Sequence, residues 1–287
     1  MIPLPLASLA GALLLATAAT DAAGGPQTRT LRFGGRDRSY TVYLPARYAA
    51  AESIPLVVDI HGFTGTSEGQ RASSGFFELH DDPKDGFAIV YPQGVGNSWN
   101  AGAACCGQAA SEDIDDVGFL VEMVHRIVAE WPRIDAGRVY ATGLSNGSAM
   151  AQRLGVEASE TFTAGAGYAM RLIVPAPGKR RPFAYVDFAG YQDSTVPYRG
   201  GRVPSVADNT RTWVELQGCK PTPRIEPMSP PGTKDEPNQC AYYQGCRGDV
   251  VVASCSLSGG HMLYANRDEI DIARMGWNFM KRFRRAR

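Results

Sequence analysis

The sequence has no net charge: 29 Lys and Arg offset 29 Asp and Glu. With no excess of either sign, there is no electrostatic case for a nucleic-acid partner or an anionic membrane surface. The basic end, Lys281-Arg282-Phe283-Arg284-Arg285-Ala286-Arg287, reads as the solvated end of a helix, whose dipole favours cations there. Internal repeats and an interdomain linker are missing too, so residues 24–287 are expected to form one domain with a sizeable core. No Cys-x-x-Cys pair and no histidine cluster suggests zinc. Histidines number only four, which narrows the search for a general base.

One apolar run stands apart. Leu4 to Ala19 is rich in Ala and Leu, and Ala16-Thr17-Ala18 has the small-x-small form of a signal-peptidase site. Residues 1–23 are therefore expected to be a signal peptide, cut near 18 or near Ala23. The run is short for an uncleaved anchor, and no cysteine stands near the cut to take a lipid. Export is the expectation: secretion, or retention in a periplasm or at the cell surface, as a monomer without stable membrane insertion. Six cysteines, Cys105, Cys106, Cys219, Cys240, Cys246 and Cys255, fit an oxidising compartment. Two strands around Arg247-Gly248-Asp249 would set Cys240 opposite Cys255. That leaves Cys219 for Cys246 and a vicinal bridge for Cys105-Cys106, a preference among many pairings.

Strand and helix signals alternate. Thr30 to Phe33 and Ser39 to Leu44 flank Gly34-Gly35 as a hairpin. Pro55 to Ile60 and Phe87 to Tyr91 are short continuous apolar runs, the mark of buried central strands. Val117, Leu120, Val121, Val124, Ile127 and Val128 share one helical face after the acidic run Glu112 to Asp116, which reads as a helix cap rather than a metal site. A strand over Phe183 to Phe188 follows, then a helix with Val206, Thr210, Trp213 and Leu216 on one side. Pro221 to Asn238, rich in Pro and polar residues, reads as a surface excursion. Val250 to Ser254 is the last strand, and Ile270, Ala273, Trp277 and Met280 stripe the closing helix. This order predicts an α/β fold, a mostly parallel central sheet with helices on both faces in three layers.

Within it, Arg138 to Met150 reads as strand, then Gly143-Leu144-Ser145-Asn146-Gly147, then helix. Glycines two residues either side of Ser145 relieve crowding on a sharp turn and leave the hydroxyl exposed above the sheet. Asn146-Gly147-Ser148 also matches a glycosylation sequon, read as a chance match because a glycan there would block the serine. A serine hydroxyl is a weak nucleophile and needs a base. His261, in Ser258-Gly259-Gly260-His261-Met262, is the one histidine that follows Ser145; His80 and His125 read as surface or helix-packing residues. Asp193, just after the Phe183–Phe188 strand, is placed to orient that imidazole. Asp187 lies inside the strand, and Asp268, Glu269 and Asp271 look like a helix first turn. In His61-Gly62-Phe63-Thr64-Gly65, the N–H of Phe63 or Thr64 joins that of Asn146 as oxyanion donors, with His61 structural. Such serine chemistry needs neither a metal nor an organic cofactor. Trp99, Tyr198, Met262 and Tyr264 are candidates for an acyl or aromatic pocket, with core packing as the other reading of each.

Ile60-His61-Gly62, Ser98-Trp99-Asn100-Ala101-Gly102, Cys105-Cys106-Gly107, Asp115-Asp116-Val117-Gly118-Phe119 and Ile134 to Tyr140 stand in order before the serine. Asp193 to Gly201 and Gly259-Gly260-His261 follow it. Together they resemble the secreted poly(3-hydroxybutyrate) depolymerase and feruloyl esterase family of α/β-hydrolases, from about Arg38 to the closing helix. The resemblance implies hydrolysis of carboxylic esters in feruloylated or acetylated plant polysaccharides or in hydroxyalkanoate polyesters, and carries Ser145, Asp193 and His261 over as the triad. It also departs from the family: a Trp-Pro pair often follows the catalytic histidine there, whereas Met262-Leu263-Tyr264 stands here, which leaves substrate choice open. Neither a Ser/Thr-rich linker nor a separate polymer-binding module is seen, which suits soluble oligomers or small esters at least as well as insoluble polymer. A serine peptidase or amidase on the same fold, and a non-catalytic secreted binding protein, are the alternatives.

Overall fold

The computed structural model describes residues 25–103, 105–176, 181–266 and 270–286. The expected leader and both cut sites lie outside them, as do Asp268 and Glu269. Ten strands are arranged in chain order as β1 (Gln27–Phe33), β2 (Arg36–Tyr43), β3 (Ile54–Ile60), β4 (Ala88–Pro92), β5 (Ile134–Leu144), β6 (Ala164–Tyr168), β7 (Ala184–Gly190), β8 (Arg224–Gly232), β9 (Pro237–Tyr243) and β10 (Val252–Leu257). They form one sheet in the order β1-β2-β4-β3-β5-β6-β7-β10-β9-β8. The six middle strands are parallel, and antiparallel pairs extend the sheet on both flanks. Parallel strands buried on both faces call for continuous apolar sequence, and β3, IPLVVDI, is buried at every position.

Seven helices supply the outer layers: α1 (Ser67–Ser73), α2 (Phe76–His80), α3 (Gly107–Ser111), α4 (Asp116–Glu130), α5 (Asn146–Glu157), α6 (Val206–Gln217) and α7 (Ile272–Met280). Phe119 and Met123 of α4, Met150 and Leu154 of α5 and Trp213 of α6 fill the core on one face of the sheet. Phe76 of α2 and Ala273, Trp277 and Met280 of α7 fill the other. Three layers result, with the fold class as expected. The acidic run does cap a helix: Asp115 accepts from the Gly118 amide at 2.8 Å. Its neighbour Asp116 is buried against Arg38 at 2.6 Å, which ties β2 to α4.

Two segments depart from the sequence reading. Pro221 to Asn238 is not a mere excursion, because Arg224–Gly232 pairs antiparallel with β9 as the outermost strand. Its largely exposed edge position tolerates the missing N–H groups of Pro227, Pro230 and Pro231. Strand β6, Ala-Gly-Ala-Gly-Tyr, carries almost no apolar signal, yet every residue is buried. Small residues are needed there because the rings of Phe183 and Tyr185 occupy the space a side chain at Gly165 or Gly167 would take. The three disulfides pair Cys105–Cys106, Cys219–Cys246 and Cys240–Cys255, and Cys240 faces Cys255 in register across β9 and β10.

Candidate active site

Ser145 is the single residue between β5 and α5, at φ 54° and ψ −121°. A non-glycine residue rarely holds that conformation, and the strain persists because its surroundings fix it. Its amide donates to the Tyr168 carbonyl at 2.8 Å, anchoring the turn to the end of β6. A side chain at Gly143 or Gly147 would fall on the Ile60 carbonyl of the neighbouring strand, so β3, β5 and α5 meet here in a way only glycine allows.

Asp193 and His261 come from two loops laced together. The amides of Tyr191 and Gln192 donate to the carbonyls of Leu257 and Gly259, each at 3.0 Å. The Gly259 amide donates to Gln192 Oε1 at 2.6 Å. Across this seam Asp193 Oδ2 lies 2.8 Å from His261 Nδ1. Burial works to raise the Asp193 carboxyl, but the His261 contact and the amides of Val196 and Thr195 outweigh it and hold the group below its ordinary value. The ionised carboxylate accepts only, so Nδ1 is the donor and Nε2 is left as the basic nitrogen.

The loop after β3 bears on the two oxyanion candidates differently. The Thr64 amide is turned to the Asn97 carbonyl at 2.8 Å, which removes Thr64 from the pair. Among the described residues, the amides of Phe63 and of Asn146, the first residue of α5, have no intramolecular acceptor. His61 is structural, as expected. Its Nε2 accepts from the Gly94 amide at 3.0 Å, and burial holds its imidazole below the ordinary value and neutral.

Of the pocket candidates, Trp99 and Tyr264 are packed in the core. Trp99 is fully buried, its indole N–H donating to the His61 carbonyl at 3.0 Å. Its backbone is clasped by the Asn146 side chain, which accepts from the Trp99 amide at 2.7 Å and donates to its carbonyl at 3.0 Å. Tyr264 is buried with its ring 4.8 Å from that of Tyr168. Met262, beside His261, is 54% exposed and available to a substrate. Tyr198 bonds Ser256 Oγ through its hydroxyl at 2.6 Å, and its ring packs tilted against that of Tyr191 at 4.6 Å. The sequence reading used Phe63 only for its amide, but its ring is 47% exposed and adds an aromatic surface beside that donor. The Asn146 side-chain clasp was also missed, since nothing local in sequence marks a contact 47 residues away.

Residues 38–174 match the family described as Esterase PHB depolymerase. The chain is 28% identical over 265 residues to feruloyl esterase B of Piromyces equi, covering 86% of this chain and 45% of that protein. It thus spans less than half the length of that relative. It is 25% identical to feruloyl esterase D of Neurospora crassa, covering 90% and 86% of the two chains. The solved acetyl xylan esterase from Aspergillus awamori superposes with a TM-score of 0.61 at 16% identity, over 88% of this chain and 99% of that one, a likeness of fold. The matched segment carries the Ser145 turn and the loop of Phe63, and the likeness to feruloyl esterases runs on beyond it, so the chain is similar to the esterase PHB depolymerase family over residues 38–174 and to esterase relatives over most of its length.

Proposed function

We propose that the protein is a secreted serine esterase that hydrolyses feruloyl or acetyl esters of plant polysaccharides, or hydroxybutyrate polyester and its oligomers, with Ser145, His261 and Asp193 as its triad. The observation that carries the reading is the Asp193–His261 contact at 2.8 Å, on loops that leave β7 and β10 at the same edge of the parallel sheet as the strained Ser145 turn after β5. The named relatives supply the substrate classes. His261 Nε2 takes the Ser145 proton as the hydroxyl adds to the ester carbonyl. The Phe63 and Asn146 amides then hold the oxyanion, and the α5 dipole adds to them. Collapse expels the alcohol, protonated by His261, and leaves an acyl-enzyme. Water, deprotonated by the same imidazole, releases the acid.

The test is hydrolysis of methyl ferulate, acetylated xylo-oligosaccharide and hydroxybutyrate oligomers by the wild type and by Ser145→Ala. The variant is expected to lose on the order of 10³-fold or more in kcat with its circular dichroism unchanged. A folded variant that keeps a tenth of wild-type turnover removes Ser145 as the nucleophile.

A further inference from the structure

A groove of about 540 Å³ runs beside α6, over β9 and β10, outside the segment matched to the family. That volume lies within the range of small-molecule sites. α6 packs against β7 and β10 and leaves the outer strands partly bare on this face. The floor is made of small residues, Ala241, Ser254 and Ser256, so space remains where larger side chains would have filled it. Aromatic rings stand at both ends, Tyr198 near the start of α6 and Tyr243 near its end.

The chemistry of the lining selects a ligand class. The two charged residues that face the groove, Arg211 and Glu215, cancel, and Arg211 is already paired with Asp208 at 3.0 Å, so an anionic ligand gains little. An apolar chain would leave hydroxyl and amide groups without partners, which is unfavourable. Among the described residues, neither the Gln239 side-chain carboxamide nor the Ser254 hydroxyl has an intramolecular hydrogen bond. Flat rings with open hydroxyl and amide groups between them suit a neutral, hydroxylated chain with apolar ring faces.

We infer that this groove is a second binding site, which holds the neutral pyranose chain carrying the ester beside the catalytic loops. The inference rests on the esterase reading above. Continuity with the catalytic loops supports it: the Tyr198 ring packs tilted against Tyr191, whose amide bonds the strand end from which the His261 loop departs. A chain lying along α6 therefore ends next to the Asp193–His261 seam. The disulfides Cys219–Cys246 and Cys240–Cys255 pin the end of α6 and the β9–β10 pair, so the walls are held before a ligand arrives.

The experiment uses an unsubstituted β-1,4-linked xylo-oligosaccharide as the binding probe, the same sugar bearing acetyl or feruloyl groups as substrate, and p-nitrophenyl acetate as the small ester. Tyr243→Ala removes one ring; Ala207→Trp fills the groove from the exposed face of α6 and leaves the core intact. Both variants are expected to weaken binding of the unsubstituted sugar by about fivefold or more and to raise KM for the sugar-borne ester by a similar factor. Turnover of p-nitrophenyl acetate should stay within about twofold of wild type. Unchanged sugar binding and unchanged KM in the groove-filled variant overturn the inference. A wild type that hydrolyses no ester overturns the esterase reading instead, and the binding measurement with unsubstituted sugar still decides the groove.

Discussion

Asp59 lies on β3 with its carboxyl fully buried, accepting from Gln70 Nε2 at 2.7 Å and Ser74 Oγ at 2.6 Å. Its bonded partners are neutral, and the phenols of Tyr91, Tyr168 and Tyr264 lie close enough to feel its charge. Burial therefore outweighs both hydrogen bonds and pushes the carboxyl up from 3.8 to about 7. The native protein keeps this proton after the unfolded chain has lost it. The stabilisation it gives is complete below the ordinary carboxyl value and is lost as the pH rises towards about 7. Asp187, raised by burial to about 6, adds in the same sense. Asp59→Asn should flatten this decline, leaving the variant more resistant to urea than wild type at pH 7 relative to pH 5, a differential on the order of 1 kcal/mol or more. Parallel pH profiles for the two proteins contradict the assignment. The Ser145 turn and the Asp193–His261 contact of the candidate site were legible because the order of these three residues, each placed after a strand, carries information. Burial was not, so Trp99 and Tyr264 were counted as pocket candidates although long-range contacts hold both inside the core.

The turn from β5 to α5 is the element on which the site depends, and its tolerance is set by backbone rather than by side chains. At Gly147 a methyl group would overlap the Ile60 carbonyl, and β3 is held on both sides and cannot retreat. Gly147→Ala is expected to destabilise by on the order of 3 kcal/mol or more, read as a lower urea midpoint. A midpoint equal to wild type shows that β3 and α5 can separate. Strands and helices with strong periodicity were readable, as were the capped start of α4 and the Cys240–Cys255 hairpin. Strand β6 was missed because its burial requires small residues, which give no hydrophobic pattern. Strand β8 was missed because prolines signal a loop until an edge position makes their missing donors harmless.

Over the whole molecule, two covalent links fall in the last quarter of the chain and brace the antiparallel extension of the sheet. Cys240 and Cys255, 15 residues apart, close a loop whose entropy in the unfolded chain predicts about 3 kcal/mol of stabilisation. The double variant Cys240→Ser, Cys255→Ser should lose about that much in urea unfolding. An unchanged midpoint means the strand pairing alone suffices. The parallel centre and the α/β class followed from alternation in the sequence, but the ten-strand width rests on the two elements that alternation did not reveal.

An open sheet of that width ends in two rows of backbone groups that a neighbouring chain can extend. Here one outer strand has proline at Pro227, Pro230 and Pro231, and the other carries Arg29 and Arg32. The first flank has fewer donors to offer, and the second sets ion-paired charged side chains along its edge. The same prolines that hide β8 from a sequence reader thus guard against runaway edge-to-edge growth into fibres.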